Sequence, residues 1–417
     1  MAGDREWFET ELATRFTRYA RVFTTSDRHS DSVPSADREL DLTRMLEAEL
    51  KDLGVEDVEF TDEGYLLASI PANSQVAAAA TPIGFMAHVD TSPDSDGENV
   101  EPQLHHSYDG GVLKLAGGVV LDPTDSPELL RYRGETVITS DGTTLLGADD
   151  KAGIAEIMTA VSYMLEHPEY PHGPLEIIFT PDEEIGRGMD HLPAERLRSR
   201  YCYTIDGGDE GAVEAECFNA YLVSVKFAGH VTHPGKARGE LVNANLMMGA
   251  FLSMVPRVET PEATDGRYGF YCPLESSGDM GSAHLDLIVR DFEMEEVHRR
   301  VEALRGFARA VESSFPGGTV TVEAREQYRN MRDILNDHPD AVQLARRAIE
   351  ETGIEARLES IRGGTDGSRL TQMGIPTPNI FTGAQNMHGC NEWIALPAMV
   401  RAAKTIVNLA TLWAGAG

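Results

Sequence analysis

Apolar residues recur at helical spacing near the start of the chain, at Phe8, Leu12 and Phe16 and again at Leu42, Met45, Leu46 and Leu50. That spacing predicts helices over 6–20 and 38–53, the second stopped by Gly54, with loop between them. Short apolar runs then alternate with helical ones, predicting strands over 66–70, 83–87, 175–180 and 201–205 and a helix over 152–165. Such alternation is the signature of an α/β domain with a mixed or parallel sheet. Near residue 216 the pattern shifts to strand 221–227, helix 242–254, strand 284–291, helix 294–313 and strand 319–322, a small α+β insertion. The earlier style resumes with a helix over 339–350, a short strand at Ile380 and a last helix over 396–412. The expected organisation is a discontinuous α/β domain, 1–215 and 331–417, carrying an inserted α+β domain, 216–330.

Metal-binding residue types stand at or just after the strand runs: His88 and Asp90, Asp149 and Asp150, Glu183 and Glu184, Asp206, and His388. In open α/β sheets ligands bind beyond the carboxyl ends of the strands, where these residues fall. Imidazole and carboxylate donors suit zinc, and they suit cobalt or manganese nearly as well. His88 and Asp90 lie two apart at a strand end and point the same way, so one can ligate while the other fixes the imidazole tautomer. Adjacent side chains diverge, so Glu184 on metal and Glu183 as general base is a natural division. Taken singly, each motif has a bland alternative: a surface pair, a helix cap at Asp149-Asp150, a solvated acidic loop, a stray histidine. Their joint occurrence argues for a metallohydrolase.

Composition narrows the partners. In 417 residues, 68 acidic against 36 basic side chains give a formal charge of -32, which argues against a nucleic-acid or membrane-surface partner. Only six basic residues are Lys, so both a compositional bias of the genome and adaptation to a salty cytoplasm stay open. Cys202, Cys217, Cys272 and Cys390 show neither zinc-thiolate nor disulfide spacing, and reduced thiols are expected. No apolar run approaches the roughly 18 residues needed to cross a bilayer, and the first residues lack a signal core. A cytoplasmic protein is expected.

Phe85–Thr91, Leu146–Gly153, Thr180–Gly186, Thr204–Gly208, Thr232–Gly235 and Ile361–Gly367 resemble the signature blocks of the peptidase T family. These are tripeptide aminopeptidases in a clan of dinuclear zinc hydrolases that includes carboxypeptidase G and aminoacylase. The resemblance implies two zinc ions, with His88 and Asp206 completing one site, Glu184 and His388 the other, and Asp149 bridging. It implies Glu183 as general base, Asp90 behind His88, and attack on the peptide carbonyl by a zinc-bound hydroxide. The insertion resembles the family's lid and dimerisation domain, implying a homodimer in which His233 reaches a reaction centre. Arg290 and Arg362 are candidates for gripping the substrate carboxylate through bidentate bonds. Asp366 and Asn243 resemble positions near the site and receive no firm role. The alternatives are an aminoacylase or dipeptidase of the same clan and a non-catalytic peptide-binding protein.

Overall fold

The structure, a computed structural model, describes residues 2–75 and 77–415; residues 1, 76, 416 and 417 of the expected catalytic domain lie outside the described residues. The chain forms two compact units. The first comprises Met1–Ala215, Asp333–Glu359 and Thr365–Gly417, and the second Glu216–Arg332 with Ser360–Gly364. The return of Ser360–Gly364 to the second unit has no counterpart in the apolar periodicity.

The first unit is built on an eight-stranded mixed sheet. In chain order its strands are β1 (Asp57–Phe60), β2 (Leu66–Ile70), β3 (Ile83–His88), β4 (Leu175–Thr180), β5 (Tyr201–Gly207), β6 (Ala212–Cys217), β7 (Arg357–Ile361) and β8 (Asn379–Phe381). Their order across the sheet is β1-β2-β4-β3-β5-β8-β6-β7. The central four, β4, β3, β5 and β8, run parallel, and all of β3, β4 and β8 is buried. Burial on both faces explains why these strands read as continuous apolar runs. Successive side chains part to opposite faces. Phe85, Ala87, Ile177 and Phe179 join the core beneath the helices, whereas Met86, Ile178 and Cys202 pack with Tyr65, Met189 and Leu370 on the other side.

Parallel strands place their carboxyl ends along one rim. His88 is the last residue of β3, Asp206 the penultimate residue of β5, and the Glu183-Glu184 loop follows β4. The helix Ala148–Glu166 crosses behind this rim with 16 of its 19 residues buried, so it carries little amphipathic contrast. A Cβ at Gly153 would come 1.9 Å from the Ile205 carbonyl oxygen, so only glycine lets this helix lie against β5.

Gln103–His105, Val137–Thr139 and Trp393–Ala395 form a small separate sheet, and the pairing of Trp393 with Thr139 helps bring Glu392 beside the 146–149 turn. Among the described residues no helix is long and apolar enough to cross a membrane.

The second unit is a four-stranded antiparallel sheet in the order Phe270–Gly278, Ser282–Asp291, Asn219–Ala228, Thr319–Tyr328. Helices Ala244–Leu252 and Met294–Ser314 cover one face. Val223, Val225, Phe227, Leu285, Leu287 and Val289 meet Met247, Phe251, Val301 and Leu304 there. Phe270–Gly278 was not foreseen: it is an edge strand with a register shift near Pro273 and an exposed Glu275-Ser276-Ser277 run. Edge strands need no apolar alternation, and proline is tolerated on them.

Candidate metal centre

Left-handed backbone at non-glycine positions is uncommon, and it occurs here at Asp182 (φ 61) and His388 (φ 64), beside the acidic pair and at the second imidazole. Gly147 (φ 74) turns the chain into the helix Ala148–Glu166, where Asp149 and Asp150 keep non-helical angles and no side chain caps the helix end. The capping alternative for this pair is therefore not what the structure shows. Asp150 Oδ2 instead accepts the backbone N–H of His88 at 3.2 Å.

The Asp149 carboxylate lies between the two imidazoles. Its Oδ1 is 3.1 Å from His88 Nε2 and its Oδ2 is 3.3 Å from His388 Nε2. Asp206 Oδ1 stands 3.7 Å from His88 Nε2, and Glu184 Oε2 stands 3.0 Å from His388 Nε2. Two groups of donors result, His88 with Asp150 and Asp206, and His88 with Asp149 and Glu184, each with its ligand atoms within 4.8 Å of one another.

The imidazoles and the acidic loop are held from behind. His88 Nδ1 donates to the Asp90 carbonyl at 3.0 Å, with Asp90 Oδ1 at 3.3 Å, which turns Nε2 towards the cluster as a lone-pair donor in the neutral ring. Asp90 also accepts the backbone N–H groups of Glu183 (3.0 Å) and Glu184 (3.2 Å). His388 Nδ1 lies 3.3 Å from Asp94 Oδ2, and Asp94 in turn is 2.7 Å from Arg28.

The cluster crowds acidic groups around two imidazoles. Asp149, Glu183, Glu184 and Asp206 face two imidazoles in largely buried space. Burial opposes the charge on His88, yet bonds to Asp149, Asp206 and Asp90 hold its pKa well above the ordinary range. Bonds to Asp149 and then Glu184 push His388 up to about 11. Burial pushes Glu184 up to about 8 and Asp206 up to about 6, and it holds Glu183 well above the carboxylate range. Asp149 goes the other way: burial would raise it, but His388 and His88 outweigh that and hold it down. A site that draws protons onto both imidazoles also attracts cations.

Divalent cations fit these residues. The donors are imidazole nitrogens and carboxylate oxygens, the set shared by zinc, cobalt and manganese. Glu184 Oε1 is buried with no hydrogen-bond partner, a lone pair without a donor inside the cluster.

Three other expected site residues, His233, Arg290 and Arg362, belong to the second unit. His233 Nδ1 accepts the Gly235 N–H at 3.1 Å, so the neutral ring carries its proton on Nε2. The Arg290 guanidinium stands over the Tyr328 ring at 5.0 Å. A Cβ at Gly364 would come within 2.3 Å of that same ring, which explains a glycine there. Arg362 spends its terminal nitrogens inside its own unit, on the Thr264 carbonyl (2.5 Å), the Thr264 hydroxyl (2.8 Å) and the Tyr268 carbonyl (3.0 Å). Through these bonds Arg362 staples the 264–268 turn. Asn243 caps the helix Ala244–Leu252 through its side-chain oxygen.

Sequence reasoning missed Glu392. Its buried carboxylate accepts the N–H groups of Leu146 (2.8 Å), Gly147 (2.8 Å) and Asp149 (3.0 Å), fixing the turn that presents Asp149. Four residues after His388, it is the only nearby acid on that segment, a signal too slight to single it out.

A mixed sheet with imidazoles and carboxylates at the ends of its parallel strands is the setting of a hydrolase, and the model described as peptidase family M20/M25/M40 matches residues 138–412. The chain belongs to this peptidase family. Over nearly its whole length it is similar to Peptidase T. It is 45% identical to Peptidase T of Geobacillus kaustophilus (strain HTA426) over 405 residues, covering 97% of this chain and 98% of the relative. It is 44% identical to Peptidase T of Clostridium perfringens (strain 13 / Type A) over 400 residues, covering 96% and 98%. The fold is also that of aminopeptidase PepT from Bacillus cereus ATCC 10987, with a TM-score of 0.73 at 24% identity over 97% of this chain and 99% of that one.

Proposed function

We propose that this chain is a metal-dependent aminopeptidase that removes the N-terminal residue from tripeptides. The observation that carries the reading is the Asp149 carboxylate, with one oxygen towards each imidazole, at 3.1 and 3.3 Å. His88, Asp149 and Asp206 would hold one divalent cation, and Asp149, Glu184 and His388 a second. Zinc is the proposed ion, with cobalt or manganese as substitutes. When bound, the cations supply Lewis acidity, polarising the peptide carbonyl and making water a stronger acid.

The remaining work falls to side chains. Burial raises the proton affinity of Glu183 above that of a free glutamate. It takes the proton of the attacking water as the new C–O bond forms. It then gives that proton to the departing amine nitrogen as the C–N bond breaks. His233 is proposed to donate its Nε2–H to the developing oxyanion in the partner copy of the proposed dimer. Arg290, oriented by the Tyr328 ring, is proposed to meet the carboxylate of the peptide.

A homodimer through the second unit is also proposed. Its support is the exposure of Val231, Leu246, Val258, Tyr268 and Leu274 there, together with the open edge of Phe270–Gly278. Four free thiols fit a reducing compartment, which supports a cytoplasmic location.

The test is turnover of tripeptides, dipeptides and N-acylated amino acids by metal-loaded protein. Cleavage of free-amine tripeptides with the other two spared is expected. Preference for an N-acyl amino acid would move the chain to an aminoacylase activity, and preference for dipeptides to a dipeptidase.

A further inference from the structure

The loop that carries Glu183 and Glu184 has little structure of its own. Between β4 and Asp190 it makes one 3-10 turn, Glu183–Ile185, flanked by left-handed Asp182 and Gly186, and its internal backbone bonds run from the Gly186 N–H to Glu183, the Arg187 N–H to Asp182 and the Asp190 N–H to Arg187. Short turns leave much of its path to be fixed by its surroundings, and the 30–39 segment holds it through Asp182, which accepts the Ser35 N–H, and Arg187, which donates to the Ser30 and Ser32 carbonyls. From one side it is held by Asp90, through the backbone N–H groups of both glutamates.

From another side it is held by the short helix Asp366–Gln372. Asp366 Oδ2 accepts the Thr180 hydroxyl at 2.7 Å, between two buried side chains. The same carboxylate lies against Gly188, where a Cβ would come within 2.3 and 2.4 Å of its two oxygens. Three residues on, and so on the same helix face, Arg369 Nη1 donates to the Gly186 carbonyl at 3.3 Å and pairs with Asp190 at 2.7 Å. The contacts at 180, 186, 188 and 190 bracket the two glutamates.

We propose that Asp366 and Arg369 are positioning residues of the reaction: they clamp the Thr180–Asp190 loop on both sides of Glu183 and so fix where its carboxylate meets water and substrate. Their role in turnover rests on the proposed function; the clamp itself does not. Neither residue needs to touch substrate. Displacement of a catalytic group by about 1 Å can cost on the order of 100-fold in rate, so loosening the clamp is expected to act on kcat.

The test uses full-length protein with Thr180→Val, which keeps the shape of a buried side chain and removes only the hydroxyl, and Thr180→Ser, which restores it. Arg369→Gln probes the other arm. Hydrogen exchange of the 180–190 segment is measured alongside kcat, KM and bound metal. Faster exchange in that segment, a kcat lower by about 10-fold or more, unchanged KM and metal, and recovery in Thr180→Ser are expected. In a Glu183→Gln background Thr180→Val should cost nothing further, whereas a merely structural role would cost the same factor in both. Unchanged exchange overturns the clamp, and faster exchange with unchanged kcat overturns the positioning role. If wild-type protein turns over no tripeptide, the functional reading fails, and the exchange result still decides the clamp.

Discussion

Asp90 Oδ1 accepts the backbone N–H of Glu183 at 3.0 Å, while the same carboxylate lies 3.3 Å from His88 Nδ1. One buried side chain thus couples the orientation of the His88 imidazole to the path of the loop bearing Glu183, the proposed general base.

Asp90→Ala is expected to weaken metal binding by about 10- to 100-fold, the usual cost of removing a group that orients a ligand. Calorimetric titration of metal-free protein measures it. An affinity equal to wild type would show that the Asp90 carbonyl, which accepts from His88 Nδ1 at 3.0 Å, suffices without the carboxylate.

Glu183→Gln removes a proton acceptor without changing shape. Turnover should drop by about 100- to 10,000-fold, with metal content per chain and thermal stability near wild type. A variant that retains its rate would place the base elsewhere.

The proposed bridging role of Asp149 predicts that different variants lose different amounts of metal. His388 meets Asp149 and Glu184 only on one side of the cluster, at 3.3 and 3.0 Å. His388→Ala should therefore lose one cation and keep the other, whereas Asp149→Ala weakens both. Elemental analysis of dialysed variants reads this directly; equal losses in the two would deny Asp149 its bridging place.

Glu156 offers a pH-dependent test. Both its carboxylate oxygens are buried without hydrogen-bond partners, and burial holds its pKa well above that of a free glutamate. Below about pH 4, folded and unfolded chains both carry the proton. As pH rises the unfolded chain releases it first, so Glu156 lowers stability progressively until the folded pKa is reached. Glu156→Met should raise the melting temperature at pH 8, by an amount on the order of 1–3 kcal/mol in stability. The gain should shrink as pH falls towards 4. Melting curves across pH check both the sign and the trend.

Much of the catalytic unit is legible in sequence because its central strands are buried on both faces. Leu66–Ile70, Leu175–Thr180 and the helix Pro339–Glu350 fall where apolar spacing puts them. The exposed strands do not announce themselves: Arg357–Ile361 and Phe270–Gly278 alternate weakly or carry charge and proline, because an edge has one neighbour and an exposed face to satisfy. At the site, residue type and strand-end position mark His88, Glu183, Glu184 and Asp206, while Asp149 at a helix start and His388 in a turn are marked by residue type alone. What supports them is not legible. Glu392 and Asp94 act through backbone N–H groups and ring nitrogens distant in sequence, and Arg362 is recognisable as a structural staple only once Thr264 and Tyr268 are seen to receive it.

The central claim is that two cations, sharing Asp149, enable tripeptide cleavage. It is tested most directly by stripping the protein of metal and titrating zinc, cobalt or manganese back while following release of the N-terminal residue from a free-amine tripeptide. The account predicts no turnover in stripped protein and activity that saturates at two equivalents per chain. Full turnover without metal, or saturation at a single equivalent, would contradict it.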